Sequence, residues 1–270
     1  MKKANLPTTE NAVIIIFHFL ADMISRILRF LFDKNPVIHR ARRKRKLSKV
    51  QKEILVEQSD FYKQLNQRYQ RFFEHRLSTF IQTYEFVGRN GYKVNEETKV
   101  LIGTSYITLT FGKRKFITDI FDKIVIYPDV FLSKSTGKMH KGEFNPKLKT
   151  VVFSWKHFLE GNKVKNDNLN LGIHEFTHII HMKSLQRRDM SSMVFRKEYL
   201  KLIDYLQHHK EVRGEILDSG YFRKYAFKNQ YEFLAVLIEN FIETPQEFKK
   251  RFPRIYKKIK LMLNFNFLHY

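Results

Sequence analysis

The sequence predicts an α+β fold, mainly helical with a small sheet, preceded by an N-terminal apolar helix. Three observations predict it. Apolar residues recur at three- and four-residue steps over several stretches, the spacing of helices buried along one face. Two short β-branched runs, residues 123–127 and 150–155, read as strands. Between these strands and the C-terminal helices lies His174-Glu175-Phe176-Thr177-His178, whose form H-E-x-x-H has chemical meaning on a helix.

The chain has 270 residues, enough for one compact domain with an extension, and its 43% hydrophobic content supplies a core. Cysteine is absent, which excludes a disulfide frame, a cysteine-type zinc site and thiol catalysis. Net charge is +23, from 50 Lys+Arg against 27 Asp+Glu. Such a balance favours nucleic acid, anionic lipid or acidic partners. No zinc-finger spacing, RNP-like aromatic strand or helix-turn-helix accompanies the charge, so no specific nucleic-acid partner is expected.

Residues 11–32 are strongly apolar, but Asp22, Arg26 and Arg29 interrupt them. Each charge costs about 3 kcal/mol at the centre of a membrane span. Their spacing suits the polar edge of an amphipathic helix. Residues 40–46, Arg-Ala-Arg-Arg-Lys-Arg-Lys, follow as a basic cluster. An apolar helix followed by such a cluster suits a membrane surface, with the remaining chain on the cytoplasmic side. The plain alternative is a helix docked on the protein, followed by a solvated linker. The expectation is a cytoplasmic protein with a candidate membrane contact over residues 11–46.

Residues 50–86 read as helix, with a break near Ser59-Asp60. Phe61, Leu65, Tyr69, Phe72, Phe73, Leu77 and Phe80 form its apolar stripe. Residues 88–91 read as a turn, and residues 96–111 suit strand or helix equally. The strand over 123–127 ends at Pro128. Residues 133–149 read as a polar loop. Thr150, Val151, Val152, Phe153 and Ser154 are expected as a strand at a sheet edge, where a substrate backbone can add as a further strand. Asp167, Asn168 and Asn170 are candidate caps for the motif helix. Residues 192–210 read as helix, residues 214–220 as a connection, and Pro245 and Pro253 each open a short helix.

On a helix, residues four apart lie on one face, so His174 and His178 can share one metal ion. Zinc in catalytic sites takes three protein ligands and a water, and Glu175 is placed to deprotonate that water. A surface helix that happens to carry two histidines is the alternative. The apolar flanks Leu169, Leu171, Ile173, Phe176, Ile179, Ile180 and Met182 argue for a buried helix, in which these polar groups need partners. His181 is too far along the helix to join, since seven residues rise about 10 Å. Glu232 and Glu239 sit on a second helical stretch, apolar at 233, 234, 237, 238 and 241. Seven apart, they share a face. One suits metal binding and the other suits holding a histidine from behind; spacing alone leaves the assignment open.

Four stretches together resemble the MtfA-like zinc metallopeptidases: Ile126-Tyr127-Pro128 with Phe131; Val151-Val152-Phe153-Ser154-Trp155; Asn170 to His178; and Tyr225-Ala226 through Glu232-Phe233-Leu234-Ala235-Val236 to Glu239, Phe241, Pro245, Phe248 and Arg251-Phe252-Pro253. They span roughly residues 60–260. The resemblance implies a zincin-like peptidase domain over residues 50–270, after an N-terminal helix and basic linker over 1–49. It implies one catalytic zinc held by His174, His178 and Glu232, Glu175 as general base, and Tyr225 as a hydroxyl donor to the oxyanion. It leaves Glu239 behind a histidine, and peptides or proteins as substrates, with aminopeptidase activity admitted. One position departs from the family pattern: His181 stands where an acidic residue is usual. A different class of function is a membrane-associated zinc-binding regulatory protein with little turnover, for which the basic, amphipathic N-terminus argues.

Overall fold

The computed structural model describes residues 20, 23–24, 44–163, 167–186 and 189–266. The chain divides into two compact units, residues 1–38 and 39–270. Of the first unit, Leu20, Met23 and Ile24 are described; they are helical and exposed. The remainder of the expected N-terminal helix, and most of the basic cluster, lie outside the described residues. Among the described residues no helix is long and apolar enough to cross a membrane.

In the second unit, the helix expected over 50–86 is three helices and a strand: α1 (Lys49–Gln58), α2 (Asp60–Gln64), α3 (Gln67–Thr83) and β1 (Glu85–Gly88). Side chains that cap the backbone make the breaks. Ser59 Oγ accepts from Tyr62 N at 3.2 Å, and Asn66 Oδ1 accepts from Tyr69 N at 3.0 Å. The ambiguous run is a helix, α4 (Glu96–Thr110), started by Asn95 Oδ1 accepting from Thr98 N at 2.8 Å. It is buried around nearly its whole circumference, which removes the polar face that would have marked it as helix.

The strands are β2 (Lys123–Tyr127), β3 (Phe131–Leu132), β4 (Met139–His140), β5 (Gly142–Asn145) and β6 (Thr150–Ser154). The segment expected as loop over 133–149 therefore contains two of them. The main sheet has the order β1-β2-β6-β5, and β3 pairs with β4 separately. β1, β2 and β6 run parallel, while β5 closes the edge antiparallel to β6, with Gly142 opposite Phe153. This corrects the expectation for Val151, Val152, Phe153 and Ser154. Their strand is interior, with both flanks of its backbone already paired, so it has no free ladder for a substrate. The edge on that side is β5.

The helices that follow are α5 (Trp155–Lys163), α6 (Leu171–Gln186), α7 (Met190–His208), α8 (Lys210–Asp218), a 3-10 turn (Lys224–Lys228), α9 (Gln230–Glu243), α10 (Pro245–Arg251) and α11 (Pro253–Leu263). The expected connection over 214–220 is mostly helix. α8 runs through Gly214, and the chain turns at Gly220, whose φ is +59°. Pro245 and Pro253 open their helices as expected.

The motif helix α6 is held between the sheet and α4. Phe176, fully buried, meets Phe153 of β6 at 5.6 Å and Tyr106 of α4 at 5.1 Å between ring centroids. Burying one such ring contributes roughly 2–3 kcal/mol. Gly172 lets α6 approach closely: a Cβ there would lie 2.7 Å from both the Phe158 ring and Ser105 Oγ. These contacts set the depth and rotation of the helix that carries the two histidines.

Candidate active site

α6 starts at Asn170. Of the three candidate caps this is the one that bonds the helix, its Oδ1 accepting from Ile173 N at 3.0 Å. His174 and His178 then lie one turn apart, with ring centroids 4.9 Å apart and planes at 85°. α9 starts at Asn229, whose Oδ1 accepts from the amides of Tyr231 and Glu232. That cap places Glu232 in the first turn of α9, facing the histidines.

Donor atoms of His174, His178 and Glu232 all lie within 4.8 Å of one another. Glu232 Oε2 is 2.8 Å from His174 Nε2 and 3.6 Å from His178 Nε2. Of the two glutamates that spacing left open, Glu232 is the one whose carboxylate reaches both imidazoles. Glu239, fully buried, lies on the other side of His174 and accepts from its Nδ1 at 2.7 Å. With Nδ1 committed to Glu239, Nε2 faces the cluster, where it donates to Glu232 in this structure and would offer its lone pair to a metal ion once that proton is displaced.

Arg223 completes this arrangement, and spacing did not single it out. Its Nη2 donates to Glu239 Oε1 at 2.6 Å. The same nitrogen is 3.1 Å from His174 Nδ1, a close approach, since Nδ1 already gives its proton to Glu239. Asn170 N donates to the other oxygen of Glu239 at 2.9 Å. Three donors thus fix one buried carboxylate, and the carboxylate fixes the imidazole.

The electrostatics favour a cation at the cluster. Burial works against a charged His174, but hydrogen bonds to Glu232 and Glu239 outweigh it and raise the imidazole from 6.5 to about 10. Burial also works against a charged Glu232, yet the hydrogen bonds from His174 and His178 hold it well below the usual carboxylate range. Two imidazoles and a carboxylate are a donor set that suits zinc, and a dication answers the negative field of the two glutamates. The residues present therefore fit a metal ion.

Glu175 is buried beside this group, and burial pushes its carboxyl up despite the histidines. It packs on the edge strand: a Cβ at Gly142 would lie 2.6 Å from Glu175 Oε1 and 2.8 Å from its Cγ. Tyr225 stands in the 3-10 turn, 46% exposed, with its ring 5.9 Å from that of His174. Burial of its inner part, with the charges of Glu232 and Glu175, pushes its hydroxyl up to about 12, so it is a proton donor at neutral pH.

His181 stands apart from the cluster. It is buried against Tyr199 at 4.4 Å, Tyr231 at 5.3 Å and Phe195 at 6.2 Å between ring centroids. Its Nε2 meets no hydrogen-bond partner. Burial, with the His178 charge, lowers it from 6.5 to about 4. Val151, Val152, Phe153 and Ser154 support the site from behind β5 rather than bordering it.

The model of the glucose-regulated metallo-peptidase M90 family matches residues 36–263. An uncharacterized protein of Synechocystis sp. is 23% identical over 231 residues, 77% of this chain and 80% of that protein. The family match covers most of the chain, and the chain belongs to this family of MtfA-like metallopeptidases. It is a metal-dependent hydrolase of peptide or protein substrates.

Proposed function

We propose that the metal is a single zinc ion held by His174, His178 and Glu232, and that the enzyme cleaves peptide bonds there, with aminopeptidase activity. The observation that carries this reading is the convergence of the three donors within 4.8 Å, beside a buried glutamate from the same helix turn. When bound, zinc supplies Lewis acidity, which lowers the pKa of a water molecule to about 7. Glu175 takes the proton from the attacking water and delivers it to the leaving amine. Burial raises its basicity toward that task. Tyr225 donates its hydroxyl proton in a hydrogen bond to the oxyanion that develops at the carbonyl. Glu239, fixed by Arg223 and Asn170, holds His174 in the tautomer with Nε2 free. The substrate backbone adds to the free edge of β5, whose Gly142 borders Glu175.

The proposal extends to the N-terminus on sequence grounds. Residues 11–46 contact an anionic membrane surface, and the peptidase domain that follows faces the cytoplasm. Fractionation with and without residues 1–46 tests this. A full chain that stays in the soluble fraction would remove the membrane contact.

The test of the chemistry is zinc content together with hydrolysis of an aminopeptide and an internally quenched peptide, by wild type and by Glu175→Gln. Both should bind about one zinc, and only the wild type should cleave. The responding peptide separates exo- from endo-cleavage. Zinc in both proteins with cleavage by neither would favour the zinc-binding regulatory reading.

A further inference from the structure

The chain carries 26 Phe, 13 Tyr and 1 Trp. Among the described residues only three of these side chains are exposed, and all three fall within the seven residues that lead into Glu232: Tyr225 at 46%, Phe227 at 40% and Tyr231 at 46%. Single exposed apolar residues are ordinary on a protein surface, whereas a group of large ones marks a contact surface. Each ring is seated from behind. Tyr225 lies 5.9 Å from the His174 ring, Tyr231 5.3 Å from the His181 ring and Phe227 6.1 Å from the Phe233 ring, between centroids. His174 and His181 stand about 10 Å apart along α6, with His178 between them. The metal-binding histidines therefore have an exposed aromatic ring toward each end. Rings held in this way have little freedom to lose when a partner settles on them.

The chemistry of the occupant follows from this surface. Aromatic faces gain most from an apolar side chain that leaves water to cover them. The stretch 223–231 contains no acid, while Arg223, Lys224 and Lys228 lie within it. Arg223 Cζ is 5.7 Å and Lys228 Nζ 5.4 Å from the centre of the Tyr225 ring. Cations already sit on that ring, so a basic side chain is repelled. An acidic side chain would meet exposed lysines, where ion pairs contribute less than an apolar group laid on aromatic rings.

We propose that Phe227 and Tyr231 form an apolar shelf that selects peptide substrates with a bulky apolar side chain, of the Phe or Leu kind, beside the bond that is cut. The inference rests on the zinc peptidase reading, which puts Tyr225 at the reacting carbonyl; Phe227 and Tyr231, two and six residues on, lie within reach of the side chains that flank it. The shelf touches a part of the substrate that does not change during the reaction, so its contribution appears in KM.

The test uses the full chain and peptides of six residues, alanine throughout or with Phe, Leu, Glu or Lys at the third position. Mass spectrometry locates the cut. The kcat/KM of the Phe and Leu peptides should exceed that of the alanine peptide at least about tenfold, with the cut beside the larger residue. The Glu and Lys peptides should gain less than about threefold. Phe227→Ser and Tyr231→Ser should each lower the Phe-over-alanine ratio at least about threefold, through KM, while Tyr231→Phe, which keeps the ring, should preserve it. The wild-type series decides even where a serine variant fails to fold. Equal cleavage of the Phe and alanine peptides, an equal gain for Glu or Lys, or a ratio unmoved in both folded serine variants would overturn the shelf. Binding to vesicles of phosphatidylcholine and phosphatidylserine that is lost in the serine variants, with the peptide ratio unmoved, would give these rings to a membrane and overturn it as well. Fluorescence anisotropy with labelled Phe and alanine peptides on Glu175→Gln reads the shelf without cleavage, and the Phe peptide should bind at least about tenfold tighter. That preference without cleavage by the wild type would count against the zinc peptidase reading alone; equal binding of the two peptides would count against the shelf.

Discussion

Replacing Glu239 by glutamine should loosen the metal without touching a metal ligand. Glu239 is fully buried and receives three donors: His174 Nδ1 at 2.7 Å, Arg223 Nη2 at 2.6 Å and Asn170 N at 2.9 Å. Glutamine keeps the shape but has one acceptor oxygen and one NH2. In either amide orientation, a donor then faces a donor, at Asn170 N or at the His174–Arg223 side. An unmet buried group of this kind costs about 1–3 kcal/mol. The charge that holds the proton on Nδ1 is also gone, so the tautomer with Nε2 free loses its support. Substitutions behind a metal-bound histidine typically weaken the metal about 10- to 100-fold, or about 1.4–2.7 kcal/mol. Zinc competition against a chromogenic chelator, at fixed pH and ionic strength, measures this. Urea unfolding in excess chelator measures the loss of metal-free stability separately. A zinc constant within about twofold of wild type, in a variant that unfolds as a folded protein, would refute the argument that Glu239 acts through His174.

Gly142→Ala places a Cβ 2.6 Å from Glu175 Oε1 and 2.8 Å from Leu171 Cδ1; peptide cleavage should fall at least about tenfold while zinc content stays at wild type, and full activity would separate β5 from the base. Tyr225→Phe keeps the ring and removes the donor, so kcat should fall about 100-fold with KM little changed; an unchanged kcat would return Tyr225 to a packing role. His181, lowered from 6.5 to about 4 by burial, costs stability in acid. The unfolded chain takes up a proton below about pH 6.5 that the folded chain refuses until about pH 4. The contribution is intact above pH 6.5 and lost as pH falls toward 4, about 2 kcal/mol between pH 7 and 4.5. Metal-free His181→Leu should lose that much less stability over the same window, read by urea unfolding; an identical pH slope would remove His181 as the cause.

The parts of the site written locally in the chain were legible in it. His174, Glu175 and His178 lie within one helical turn and a half, so their spacing is their geometry. Glu232 and Glu239 were legible as a pair, because α9 has a clear apolar stripe. Which of them faces the histidines was not, because that depends on how α9 crosses α6, and crossing is set by packing of both helices. Arg223 was not legible at all. Its sequence setting, Phe222-Arg223-Lys224-Tyr225, is one more basic stretch in a chain with 50 Lys+Arg. Only the fold brings it to a buried carboxylate sixteen residues on. The signal available was the carboxylate itself: a glutamate on the apolar face of a buried helix needs a counter-charge, and a nearby arginine is the residue that suits it best.

The central strands β2 and β6 were legible, while the edge strand β5 was not, for a related reason. Gly142-Glu143-Phe144-Asn145 has weak strand propensity and is closed by Pro146, so its composition says loop. It is a strand because β6 offers an open antiparallel partner. The same glycine that weakens it as a strand leaves room for Glu175 against the backbone. An ordinary strand residue at 142 would pair better and would push the glutamate aside. The edge of this sheet is thus shaped by the side chain next to it, and an expectation built on propensity alone selects β6, the stronger and interior strand. The consequence can be measured without any substrate. If the Gly142 notch serves Glu175, the defect of Gly142→Ala should shrink when Glu175 is shortened to Asp, which removes the 2.6 Å contact with Oε1 and leaves the one with Leu171 Cδ1; purely additive effects of the two substitutions on stability would refute it.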